Sequence, residues 1–362
     1  MSVTSAGDPP SAVPGGGQQV YSHTGFGDLS AAVSGAKDYV YVPSDGNGSV
    51  TVIDQHTMKI VDSYHVGKLV QHVVADWDLH RLYATSSGSN QLVPIDPTTG
   101  ARSGDPIKVD APYNLYFTPD GSKALVMAER LGRIDYYDRG TWQALFSVNV
   151  APCNGINHAD WSPDGSWFLA TCEFSGEIIK VDTASGRILN RLVLNSGAMP
   201  QDVRLAPDGS KFYVADMVHG CVWIIDGGGT TVVGSIATGV GTHGIYPSRD
   251  ATRMYVSNRG RTDNRDNRPS REGQGSVSVI DPATDQVVDT WQIPGGGSPD
   301  MGGVSADGKQ LWLSGRYDAE VYVFDTTTGQ LLARIKVPAG PHGLNVFPQP
   351  GRYSLGHTGN YR

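Results

Sequence analysis

Short apolar runs that close on aspartate recur along this chain, ending at Asp54, Asp96, Asp138, Asp182, Asp226, Asp281 and Asp325. The gaps between them are 42, 42, 44, 44, 55 and 44 residues, a period long enough to hold one supersecondary unit per repeat. Within a unit the apolar positions fall in four brief strand-like runs, with no stretch at helical spacing. The unit beginning at Met199 shows the plan. Gln201–Pro207 reads as an inner strand A, Pro207–Gly209 as a turn, Phe212–Asp216 as strand B, Val222–Asp226 as strand C and Thr231–Ile236 as strand D. Four short antiparallel strands repeated in this way predict an all-β, single-domain β-propeller.

The same grammar fixes a blade count. Pro119–Gly121, Pro163–Gly165 and Ala306–Gly308 fill A–B turns, and Leu82–Ala84, Phe168–Ala170, Met254–Val256 and Leu311–Leu313 fill B strands. Tyr39–Val42 reads as the first B strand and Tyr353–His357 as the last. Eight A–B hairpins against seven C–D hairpins predict eight four-stranded blades, the last one closed by an N-terminal strand at Gln18–His23. Seven blades is the alternative if Leu29–Val33 or the C-terminal hairpin lies elsewhere. Residues 1–17, rich in Pro, Gly and Ser, read as a flexible tail, and 18–362 as the propeller.

In such a ring the residues that begin A strands surround the axis at one end, here called the upper face, and residues that end B strands surround them. The first ring holds His72, Asn114, His158, Asp202, His243, Asp300 and His342. The second holds Glu129, Glu173, Asp216, Arg259, Arg316 and His357. The opposite face holds mainly Pro-Asp-Gly turns, so convergent polar chemistry is confined to the upper mouth. Glu173, His158, His243 and His342 are the acid–base candidates. His72, Asn114, Asp202, Asp216, Asp300 and His357 are candidate ligand contacts, and Arg259 and Arg316 suit a carboxylate on the ligand. The recurring aspartates at strand C ends are turn caps.

Two further features stand apart. Cys153 and Cys172 both fall near the upper rim of one blade, where a disulfide is sterically allowed and would favour an oxidising compartment; two reduced thiols are the other reading. Cys221 reads as a packed thiol. The segment Asn258–Gly275 lengthens one B–C loop and carries five arginines against three acids, as expected of a lid for an anionic ligand or of a solvated insertion.

Composition narrows the function. A net charge of −8 and 18% charged residues give no basic surface for nucleic acid or an anionic membrane. No apolar run reaches the roughly 18 residues of a membrane span. The N-terminus as written has no leader-like apolar region, so the sequence predicts a cytoplasmic protein, with an exported mature form as the alternative. Nucleophile-elbow, phosphate-loop and dinucleotide motifs are absent. No His-x-His or Glu-x-x-His spacing is present, so no metal ligand is assigned and no cofactor is predicted; haem or a transition metal is the alternative.

Phe212–Asp216, Met254–Asn258 and Val277–Thr284 resemble the repeats of the bacterial YVTN-type β-propeller family, and the resemblance covers nearly all of the chain after residue 17. It implies the fold. It implies no particular chemistry, and many members are exported. The expectation is therefore a small-molecule-binding propeller, read as an enzyme using His, Glu and Asp in a cyclisation or condensation, lyase or hydrolysis reaction. A non-catalytic protein-interaction scaffold and a haem- or metal-binding propeller are the alternatives.

Overall fold

The computed structural model describes residues 20–261, 274–357 and 360–362. Among these residues the strands form seven four-stranded antiparallel sheets arranged as propeller blades. Blades two to seven each come from one continuous stretch, and their inner strands are Val70–Ala75, Asn114–Phe117, Ile156–Trp161, Pro200–Leu205, Thr242–Pro247 and Pro299–Val304. Blade one is shared between the two ends of the ring. Its outer three strands are Tyr39–Ser44, Ser49–Asp54 and Lys59–His65, and its inner strand is Asn345–Phe347. Tyr39 pairs with Phe347 and Tyr41 with Asn345.

This closure corrects the expected count of eight. The last inner strand does not open a blade of its own; it supplies the one that blade one lacks, leaving no unpaired inner edge. Leu29 bridges to Gly351 and Ala31–Val33 forms a short 3-10 turn, so neither serves as a first inner strand. The proposed N-terminal closing strand is also absent from the described part of Gln18–His23. There the chain turns, Val20 N–H donating to Pro207 O and the Tyr21 hydroxyl to Leu205 O. Residues 1–17, together with Gln18 and Gln19, lie outside the described residues.

The expected last B strand, Tyr353–His357, has another role. From the lower face the chain turns into the central channel and runs beside the inner strand of blade three. Phe117 N–H donates to Leu355 O at 3.0 Å and His357 N–H to Leu115 O at 3.1 Å. The chain then doubles back, with Leu355 N–H bonded to Asn360 O, and Arg362 Nη2 reaches Asp160 Oδ1 at 2.6 Å. A folded-back segment therefore fills the lower half of the channel.

Neighbouring blades bury apolar faces against each other. Ile134 and Tyr136 of blade three meet Trp161 and Phe168 of blade four, and Tyr41 and Val52 of blade one meet Val73 and Val93 of blade two. The fourth strand Leu331–Lys336 alternates between half-buried and exposed positions, because only one face meets a neighbour. The recurring aspartates cap turns as expected: Asp54 accepts from Thr57 N–H, Asp182 from Ser185 N–H and Asp325 from Thr328 N–H.

Candidate functional site

The inner strands present their polar residues to the axis through a shared irregularity. Val70, Ile156, Pro200, Thr242 and Pro299 each pair with the end of strand B, and pairing resumes three residues later with a bulge between. His72, His158 and Asp202 lie two residues beyond the paired position; His243 and Asp300 lie one residue beyond it. Positions that look equivalent in the repeat therefore split into two layers along the axis.

The layer nearer the upper mouth contains His243, Asp300 and His342. His243 Nδ1 is 3.0 Å from Asp300 Oδ1, and His342 Nε2 is 3.5 Å from Asp300 Oδ2. Arg259 grips Asp300 Oδ1 through Nε at 2.8 Å and Nη2 at 2.7 Å. The lower layer contains Asn114, His158, Asp202 and His357. His357 Nε2 stands 3.5 Å from Asp202 Oδ1, and the Asn114 amide donates to Nδ1 of both His158 and His357, at 3.2 and 3.0 Å. His72 joins the layers, its ring centroid 4.8 Å from that of His342 and 5.3 Å from that of His357.

All five histidines are buried, His342 the most exposed at 2%. Burial holds every one of these imidazoles well below the usual histidine range, and neighbouring charges add to it, Arg259 at His243 and Arg316 at His342. The cluster is neutral at physiological pH. Burial also raises the Asp300 carboxyl, against the opposing pull of Arg259.

Above the histidines lies an acidic mouth. Tyr113 packs edge-on against His72, His158 and His342. Glu173 is buried and accepts from the Asn157 amide at 3.3 Å. Glu129, half-buried beside it, has its carboxyl pushed up to about 8 by burial first and by the Glu173 charge second. The same two carboxylates, after burial, raise the Tyr113 phenol.

The structure thus brings His72, Asn114, His158, Asp202, His243, Asp300, His342 and His357 together on the axis, with Glu173 and Arg259 at the mouth. His357 arrives from the C-terminal segment inside the channel, not from the end of a B strand. Asp216 is turned away from the axis: its carboxylate accepts from Met199 and Val218 N–H, Trp223 Nε1–H and His219, tying its own blade. Arg316 leans to blade one, 2.9 Å from Asp45 Oδ2 and donating to Gly340 O. Sequence reasoning missed Tyr113 and the fully buried Arg204, which donates to Ile245 O and Asp202 Oδ2. A guanidinium two residues after an aspartate on an inner strand is the signal that could have marked it. Of the arginine-rich loop, residues 262–273 lie outside the described residues.

Side chains from different strands also converge here, which spacing along one strand does not register. Among the described residues, three sets of side chains bring ligand atoms within 4.8 Å of one another: His158–Asp202–His357, His243–Asp300–His342 and Cys153–Cys172–Glu177. The last is spent, since Cys153 and Cys172 are joined in a disulfide; Cys221 is free and buried.

A model of the YNCE-like β-propeller family matches residues 29–352. The chain belongs to this family. It is 31% identical to YncE of Salmonella typhi over 150 residues, which is 40% of this chain and 38% of that protein. It is 24% identical to YncE of Escherichia coli over 53% of this chain and 56% of that protein. The matches thus span about two fifths to just over half of these relatives. Among solved structures, a putative 6-phosphogluconolactonase from Bacteroides uniformis superposes with a TM-score of 0.66 at 17% identity, covering 85% of this chain and 99% of that one. Hydrazine synthase of Kuenenia stuttgartiensis gives 0.61 at 18% identity, over 76% and 90%. The dihydro-heme d1 dehydrogenase NirN gives 0.60 at 15% identity, over 85% and 74%. At these identities the likeness is one of fold.

Proposed function

We propose that this YNCE-like propeller binds a small organic molecule at its upper mouth and moves a proton to or from it, with Glu129 and Glu173 as the working pair. The observation that carries this reading is the displaced Glu129 carboxyl. Two neighbouring carboxyls at a partly dry mouth differ in environment, so Glu129 keeps its proton near neutral pH, held first by burial and second by the carboxylate beside it. A group poised at about 8 can act as a general acid at pH 7 and is recharged by solvent at the mouth. Tyr113 and Asn157 would orient the ligand. The buried histidines beneath set the floor, so His158, His243 and His342 pass from acid–base candidates to the wall of the site.

A carboxylate on the ligand has less support than the sequence suggested, because Arg259 and Arg316 each already answer an internal carboxylate, Asp300 and Asp45. A neutral or cationic ligand suits the acidic mouth better. For compartment, the Cys153–Cys172 disulfide supports an oxidising environment.

The test is a thermal-shift screen of metabolites grouped by charge, repeated with Glu129→Gln and Glu173→Gln. Neutral or cationic hits that stabilise the wild-type chain and weaken at least tenfold in both variants support the reading. Hits unaffected by both substitutions place the site elsewhere. A screen without hits, joined to a reproducible protein partner, makes the propeller an interaction scaffold.

A further inference from the structure

We propose that His243, Asp300 and His342 form a binding site for one divalent transition-metal ion in the upper layer of the channel, beneath the acidic mouth. The three ligands come from three separate places: the inner strand of blade six, the inner strand of blade seven, and the link into blade one. Ring closure is what brings them together.

The spacing fits an ion. Nitrogen and oxygen ligands sit about 2.0–2.2 Å from such a metal, which puts neighbouring ligand atoms roughly 3.0–3.5 Å apart in octahedral or tetrahedral geometry. The contacts of 3.0 Å from His243 Nδ1 to Asp300 Oδ1 and 3.5 Å from His342 Nε2 to Asp300 Oδ2 lie in that interval, one on each oxygen of the carboxylate. All three ligand atoms fall within 4.8 Å of one another.

A second observation points the same way. Asp300 Oδ2 is buried and has no hydrogen-bond partner. A carboxylate oxygen left bare in a protein interior is costly, and an ion on that oxygen would answer it. Its sister oxygen is already held by two guanidinium donors of Arg259, which fixes the carboxylate plane and aims Oδ2 at His342. That is the outer-shell arrangement by which metal carboxylates are usually oriented. His72, adjoining His342 and with both ring nitrogens unpartnered, is placed to respond to an ion or to the water it carries.

The lower triad is the weaker claimant. Asp202 Oδ1 already accepts from Val203 N–H, and its Oδ2 from Ile245 N–H and Arg204. The Asn114 amide occupies Nδ1 of both His158 and His357. Both of the triad's carboxylate oxygens are answered without a guest, although His158 Nε2 is left unpartnered. Two imidazoles and one carboxylate favour zinc, iron(II), cobalt(II), nickel or copper over calcium or magnesium, which prefer all-oxygen cages. The site uses none of the groups assigned to proton transfer at the mouth, so the two proposals stand or fall separately.

The experiment is metal analysis of the full chain after chelator dialysis and reloading with cobalt(II), read by elemental stoichiometry, visible absorption and melting temperature. One cobalt per chain, ligand-field bands and a raised melting temperature are expected. His342→Gln and Asp300→Asn should each lose the ion, and His158→Gln should keep it. Should a substitution impair folding, copper(II) spin-resonance spectra of the unmodified chain still count the coordinated imidazole nitrogens, two being expected. No ion retained by the wild-type chain, or an ion lost in His158→Gln and kept in His342→Gln, overturns the assignment. A negative result there, beside a ligand bound at the mouth, would leave the acid–base reading intact.

Discussion

Glu129 makes its protonation state measurable. An ordinary glutamate in the unfolded chain releases its proton near 4.5, and in the folded protein Glu129 holds it to about 8. Between those values the native state binds the extra proton, so its contribution to stability is fully present below about 4.5, declines as pH rises, and is gone above about 8. The expected outcome is that Glu129→Gln gains in melting temperature relative to wild type as pH is raised from 5 to 8. Parallel curves would place the carboxyl in bulk solvent. Arg362 offers a second check. Removing its guanidinium strips the 2.6 Å partner from Asp160, a carboxylate with no solvent exposure. Arg362→Ala should cost about 3 kcal/mol in denaturant unfolding. A loss below about 0.5 kcal/mol, the range of exposed ion pairs, would mean that the segment does not fill the channel. Most axial side chains were readable in advance because the first residues of inner strands converge in any propeller. Their sorting into two layers is marked only by the distance to the next turn: Asn114, His158 and Asp202 lie six residues before the aspartates at 120, 164 and 208, whereas His243 and Asp300 lie seven before those at 250 and 307.

Strands and turns were the most legible level. The Asp-x-x-Ser/Thr caps, the Pro-Asp-Gly turns and the alternating outer strands all follow from local chemistry. The count of blades was not legible, because an inner strand looks the same whether it opens a new sheet or completes an old one. Asn345–Phe347 does the latter, and only the absence of an inner strand before Tyr39 hinted at it. The stretch Tyr353–His357 alternates like a strand, yet it pairs from inside the ring, which no periodicity encodes. In blade four the Cys153–Cys172 bond joins residues 19 apart, closing a loop whose restriction in the unfolded chain is worth about 3 kcal/mol. Cys153→Ser/Cys172→Ser should lose roughly that amount by chemical denaturation. An unchanged midpoint, with both thiols titratable in the native wild-type protein, would show the pair to be reduced.

The ring holds because its first and last blades are one sheet. Deleting the chain from residue 341 onward should remove the inner strand of blade one, His342 and the channel filling together. The expected product lacks a single cooperative melting transition and elutes as aggregate, and a monomeric product melting like the parent would mean that the ring closes by other contacts. The pairing of Tyr39 with Phe347 also has a bearing on biosynthesis. A ribosome makes Tyr39 308 residues before Phe347, so six finished sheets must wait beside an incomplete seventh. Until the missing strand emerges, the nascent polypeptide exposes a raw edge to its neighbours on the same messenger RNA. Chaperones that shield such edges, and quality-control proteases that clear prematurely stopped translation products, should therefore govern how much of this protein a cell accumulates.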